Sequence, residues 1–162
     1  DDSAVLSFQA GGGLAAGGSA VLTLAGKEYK VDAQQAGVDV ALAGQLGDQT
    51  VTVDVYGGSG EPARTTLQLH VTTGPASIQQ LIDRYSAAGD LGGGLVPQLT
   101  NALKQAQHQW DGGKPDQAVK HLQDFLKHLD NKGQSGNVKD DAKAVLTADV
   151  NAVIAQWQGA GK

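Results

Sequence analysis

The chain contains no cysteine and no methionine among its 162 residues. Without cysteine there can be no disulfide, and no thiolate is present to hold a metal or attack a substrate. Aromatic residues make up only 4% of the chain, so few ring faces are on hand to stack against sugars or bases. No apolar run approaches the roughly 20 residues that a bilayer-crossing helix needs, and no membrane span is expected. Basic excess is missing too. The net charge is −5. Eight acidic and three basic side chains lie between Asp1 and Thr73, and nine of each follow from Gly74 to Lys162. Neither half offers the basic stripe that phosphate-backbone binding requires, which excludes nucleic acid as a partner. The opening Asp1-Asp2 reads as the product of signal-peptide cleavage or as part of a longer polypeptide.

The two halves follow different periodicities. In the first half, Val38, Val40 and Leu42 alternate with Asp39 and Ala41. Val51, Val53 and Val55 alternate with Thr52 and Asp54, and Leu67, Leu69 and Val71 with Gln68 and His70. A period of two places one face on a core and the other in water. Further strands are expected over Val5 to Gln9, Ala20 to Leu24 and Glu28 to Val31, separated by glycines at 11–13, 17–18, 26, 37, 44 and 47 and by the run Gly57-Gly58-Ser59-Gly60. Short strands at this spacing predict a small antiparallel β-sandwich over residues 1–73, immunoglobulin-like or fibronectin-like in size but without a cysteine–tryptophan–cysteine signature.

Gly74-Pro75-Ala76 breaks the alternation and is read as a linker, 74–76. From Ser77 onward the spacing changes to three and four. Ser77 and Gln80 form a capping-box start for the stripe Ile78, Leu81, Ile82 and Tyr85. Leu99, Ala102, Leu103, Ala106 and Trp110 make a second stripe, and Ala118, Leu122, Phe125 and Leu129 a third. Ala142, Leu146, Val150, Val153, Ile154 and Trp157 make the fourth, with Asn137 as its expected N-cap. Four such helices with short connections predict an up-down four-helix bundle over 77–162. The fold class is therefore two-domain, all-β then all-α.

The order of pieces in the second half resembles the FIMAH module. The likeness rests on the segment Leu95-Val96-Pro97-Gln98-Leu99-Thr100-Asn101-Ala102-Leu103, the Gly112-Gly113 hinge, and Phe125-Leu126-Lys127-His128-Leu129 after Ala118 and Leu122. Leu126 stands where isoleucine is expected. The resemblance implies a non-catalytic module near the C-terminal end of a large secreted bacterial protein, often a polysaccharide-degrading hydrolase. It supplies no catalytic residues and no cofactor. The implied partners are the domains of a parent enzyme, a polysaccharide or a cell-surface protein, and the implied location is extracellular.

Little in the residues competes with that reading. Gly11–Gly13 and Gly92–Gly94 lack the lysine and hydroxyl residue of a phosphate loop. Asp130 to Asp141 fails as a calcium loop, because Lys132 and Gln134 stand where oxygen-rich ligands are needed. His121, Asp124 and His128 share one helical face and form the best candidate metal set, set against the plainer role of a solvated face. Asp32, Asp39, Asp48 and Asp54 lie on strands or turns of a domain too small for a deep catalytic cleft, and Asp39 and Asp54 are read as solubilising outer-face groups. For sugar binding, Tyr56 and the Gly57 to Glu61 loop are the candidates, because Tyr56 is out of phase with the core valines. Tyr29, Trp110 and Trp157 are assigned to the core. The expected function is a spacer or partner-contact module, with carbohydrate binding as the alternative.

Overall fold

The computed structural model describes residues 3–7, 18–32, 37–57 and 61–160. Phe8, the Gly11–Gly13 run and most of the Gly57 to Glu61 loop lie outside them. The chain divides into two compact units, Asp1–Thr72 and Thr73–Lys162.

The first unit contains six strands: β1 (Ser3–Ser7), β2 (Ser19–Leu24), β3 (Lys27–Asp32), β4 (Gly37–Ala41), β5 (Gly47–Tyr56) and β6 (Ala63–Val71). β1 pairs with β4, and the other four form an antiparallel sheet in the order β3-β2-β5-β6. The alternation seen in the sequence sets the faces. Ala20, Leu22 and Leu24 of β2, Val31 of β3, and Val51 and Val53 of β5 are buried together with Val40, Leu42 and Val71 in one apolar cluster. Tyr29 packs against this cluster as its parity with Val31 predicts, and its hydroxyl accepts the Ala41 N–H at 3.3 Å.

Two side chains depart from their pattern. Leu67 shares the inward parity of β6 yet is 45% exposed, and the strand is exposed from Ala63 to Gln68. The strand order explains this, since β6 is an edge of the four-stranded sheet and only its Val71 end reaches the buried cluster. Asp54 does lie on the outer face but is not a solubilising group. It is 8% exposed, covered by Arg64 directly opposite on β6. Arg64 Nε and Nη2 donate to its two carboxylate oxygens at 2.6 and 2.9 Å. This two-pronged bond holds the Asp54 carboxyl below its ordinary value, against the opposing effect of burial. At the other end of the strand pair, His70 meets Asp48 at 2.6 Å on the exposed face.

β2 and β3 are joined by the two residues Ala25 and Gly26, both at positive φ (49° and 79°). Positive φ at both positions suits the twist of a two-residue hairpin, and glycine meets the demand at Gly26 without strain. Ala25 meets it against the preference of its Cβ.

The second unit contains α1 (Pro75–Ala87), α2 (Leu95–Asp111), α3 (Pro115–Asp130) and α4 (Asp140–Ala160), with a short 3-10 helix over Lys132–Asn137. Most of the anticipated stripes are buried: Ile78, Leu81 and Ile82; Leu99, Ala102, Leu103 and Ala106; Ala118, Leu122, Phe125 and Leu129; Ala142, Leu146, Val150, Val153 and Trp157, while Tyr85, Trp110 and Ile154 are half-buried at their margins. The boundaries differ in two places. α1 starts at Pro75, so Pro75 and Ala76 belong to its first turn, where proline's missing N–H costs nothing. Gly74, and not Ser77, is its N-cap, and no side chain caps it. α4 begins at Asp140, three residues beyond Asn137, the N-cap expected from the sequence. Asp140 and Asp141 occupy its first turn, where the helix dipole favours acids.

At Ala25, replacement by asparagine, which tolerates positive φ better, should stabilise the β2–β3 hairpin by about 0.5 to 1 kcal/mol. Denaturant unfolding followed by the β-sheet circular dichroism signal measures it, and an unchanged or lowered midpoint would contradict the hairpin geometry.

Candidate functional site

The two connections α1–α2 and α3–α4 are tied to each other by backbone. Leu91 and Val138 form an antiparallel bridge. Beside it the Gly92 N–H donates to the Asn137 carbonyl at 2.8 Å, and the Lys139 N–H to the Asp90 carbonyl at 2.9 Å. Lys139 Nζ also pairs with the Asp90 carboxylate. Gly93 sits here at φ 59°, where an added Cβ would come within 2.9 to 3.1 Å of the Asn137 side chain. The conformation favours glycine, while the Asn137 side chain that a Cβ would meet can shift aside.

Trp110, near the end of α2, stacks on Trp157 of α4. The ring centroids are 4.5 Å apart and the planes 8° from parallel. Trp157 is only 4% exposed and belongs to the core as expected, whereas Trp110 is half-buried. Next to this pair runs a groove of about 650 Å³, lined by Pro115, Asp116 and Val119 of α3 and by Ala155, Trp157 and Gln158 of α4. Its lining is apolar and polar in nearly equal measure, and Asp116 supplies a carboxylate.

Asp149 was not singled out by its residue type, yet it lies on the buried stripe of α4, three residues after Leu146 and four before Val153. It is 4% exposed. Thr73 Oγ1 donates to Oδ2 at 2.7 Å, while Oδ1 has no hydrogen-bond partner among the described residues. Burial raises its carboxyl above the ordinary value, opposed by the Thr73 hydrogen bond. Burial likewise raises the Tyr85 phenol, with neighbouring Arg84 acting the other way. Helical spacing alone marks Asp149 as a polar residue in an apolar stripe, and that is the signal which could have found it.

The candidates read from the sequence sit elsewhere. Tyr56 ends β5 and is 44% exposed, and Glu61 is exposed on the far side of the connection to β6. His121, Asp124 and His128 all lie on α3, but the Asp124 carboxylate accepts from Lys127 Nζ at 2.8 Å, which lowers its pKa. Among the described residues no group of three or more His, Cys, Asp or Glu side chains is placed to hold a metal ion. Among the described residues no helix is long and apolar enough to cross a membrane.

Two outcomes follow from this geometry. A carboxyl with a raised folded value penalises folding as pH rises from the unfolded value of 3.8 through the folded one, and the penalty persists above it. Asp149→Asn, which keeps an oxygen for Thr73, should therefore raise the melting temperature of the helical half at pH 7. The gain should vanish below pH 3.8, as helical circular dichroism at both pH values will show. Trp157→Ala removes the stacked ring and its buried contacts, and should cost about 3 to 5 kcal/mol in the helical half by denaturant titration.

Comparison with known proteins agrees with the layout of the helices. The family model described as the FIMAH domain matches residues 75–155, from the first residue of α1 into the last turns of α4. That match leaves the β half unassigned. No curated protein matches the chain. Since the match spans half of the sequence and takes in all four helices, the chain belongs to the FIMAH domain family.

Proposed function

We propose that the chain is a non-catalytic accessory region of a secreted bacterial hydrolase, serving as a spacer and as a contact with the parent enzyme or a surface partner. In this reading the β half is an immunoglobulin-like sandwich and the helical half an up-down bundle. Val40 and Leu42 share one core with the four-stranded sheet, which favours two packed layers. Each helix touches the next and α1 touches α4, which favours a closed ring of four.

The observation that carries the proposal is the family match over 75–155, laid on helices whose shifted carboxyls each have a side-chain partner within the fold. Asp124 is paired with Lys127, and Asp149 with Thr73. In the β half Asp54 is likewise taken by Arg64. Shifted carboxyls also mark catalytic sites, but there they converge on a cleft. These three serve strand pairing, a helix surface and a helix stripe.

Carbohydrate binding is the second reading, and the 44% exposure of Tyr56 at a strand end favours it. The two separate in one set of assays on the purified chain. The accessory reading expects no hydrolysis of chromogenic polysaccharides and equal, weak retention of the wild type and Tyr56→Ala on insoluble glycans. Retention on one glycan class that disappears in Tyr56→Ala would install the carbohydrate reading. Turnover of any substrate would overturn the non-catalytic one.

A further inference from the structure

We infer that the edge of β6 pairs with the same edge of a second copy of this chain, antiparallel and centred on Leu67, so that two β halves form a two-fold dimer. This goes beyond the accessory reading and does not depend on it.

The two edges of the four-stranded sheet are made differently. Among the described residues β6 pairs with β5 alone and β3 with β2 alone. An edge presents unpaired N–H and C=O groups, and proteins blunt it with charge, proline, bulges or shortness. β3 follows that rule. It has six residues, and Lys27, Glu28, Lys30 and Asp32 are four of them. β6 does not follow it. It runs nine residues, Ala63–Val71, without proline, and its register with β5 is unbroken by any bulge. Its two basic side chains turn away from the edge, since Arg64 and His70 reach back to Asp54 and Asp48 on β5.

The inner face agrees. Leu67 has inward parity and is 45% exposed, although Leu69 and Val71 after it reach the buried cluster. An added strand would pair the edge backbone and bring side chains against Leu67 together.

The residues of β6 fit a reversed copy of themselves. Leu67 is the middle residue of the nine. Pairing about it sets Leu67 against Leu67, Thr65 against Leu69 and Ala63 against Val71 on the inner face. On the outer face it sets Thr66 against Gln68. A threonine–glutamine pair of this kind already exists within the sheet, where Thr50 lies opposite Gln68 and donates to its Oε1 at 3.1 Å. The amide nitrogen of Gln68 is a donor, and the pairing presents it with the Thr66 hydroxyl of the second copy. At each end the outer row runs Asp54, Arg64, His70, Asp48, the last two from the second copy, so an acid flanks each base.

The test uses the full chain. Sedimentation velocity at concentrations up to about 1 mM should show a reversible monomer–dimer equilibrium. Leu67→Lys sets like charges against each other at the centre, in a position exposed enough to accept lysine. It should weaken dimerisation at least about tenfold and leave the circular dichroism spectrum unchanged. Cross-linking tests the register, because the chain has no cysteine of its own. Directly opposed residues of antiparallel strands have Cα atoms about 4.5 to 5.5 Å apart, within disulfide reach, and diagonal neighbours about 7 to 8 Å. With oxidised glutathione, Leu67→Cys should form a covalent dimer at least about tenfold faster than Thr66→Cys, whose counterpart is diagonal. A monomer at every concentration, a dimer that Leu67→Lys leaves intact, or equal cross-linking of the two cysteine variants would each overturn the proposal.

Discussion

The helical half depends on the short antiparallel bridge between Leu91 and Val138. An apolar stripe fixes which face of a helix turns inward, but it does little to stop one helix pair from sliding along another. The bridge supplies that constraint by locking two connections together at one level. It also settles an obligation of the backbone. Both connections enter buried ground at Leu91 and Val138, where unpaired N–H and C=O groups would be costly. The Gly92–Asn137 and Lys139–Asp90 bonds meet that need reciprocally. Gly93 supplies a positive-φ turn beside the bridge, and the Asp90–Lys139 ion pair links the same two connections.

In the β half, strand order plays the corresponding part. A small domain buries a modest share of its surface, so each inward residue carries weight. β2 and β5, at the centre of the four-stranded sheet, supply five of the nine residues in the buried cluster, while β6 at its edge supplies one. An edge strand must be held by other means. Arg64 and His70 do this near its two ends, each gripping an aspartate on β5. The Arg64 pair has the stronger geometry, with two parallel bonds over a largely covered carboxylate, whereas the His70 pair is open to solvent and contributes little.

Much of this was legible in the residues because periodicity is a local property. The valines of β5 and the stripes of α2 and α3 announce their burial without knowledge of any neighbour. What stayed hidden depended on neighbours. Leu67 has the parity of a core residue, and only the strand order reveals that nothing covers it. Asp54 has the parity of a surface residue, and only the register that sets Arg64 opposite it reveals that it is covered. Asn137 looks like a helix cap, but its backbone is committed to Gly92, and the chain runs on to Asp140 before α4 begins. The FIMAH resemblance was reached from the spacing of the proline, the paired glycines and Phe125, and these are local features too.

The two ends of the helical half are built from opposite materials. At the bridged end, polar backbone is paired with polar backbone, and little remains to offer a ligand. At the other end α2 stops, α3 starts and α4 finishes, and closure relies on two stacked indoles. Flat rings fill the space between helices efficiently, but they cannot satisfy helix termini, which require donors, acceptors or charge. The sequence places proline at the start of α3, where a donor is least missed, and an aspartate directly after it. The last turn of α4 holds no basic residue, whereas Arg84, His108 and Lys127 with His128 stand in those of α1, α2 and α3, so the closing carbonyls of α4 lack the charge compensation that the other three helices find within their own last turns.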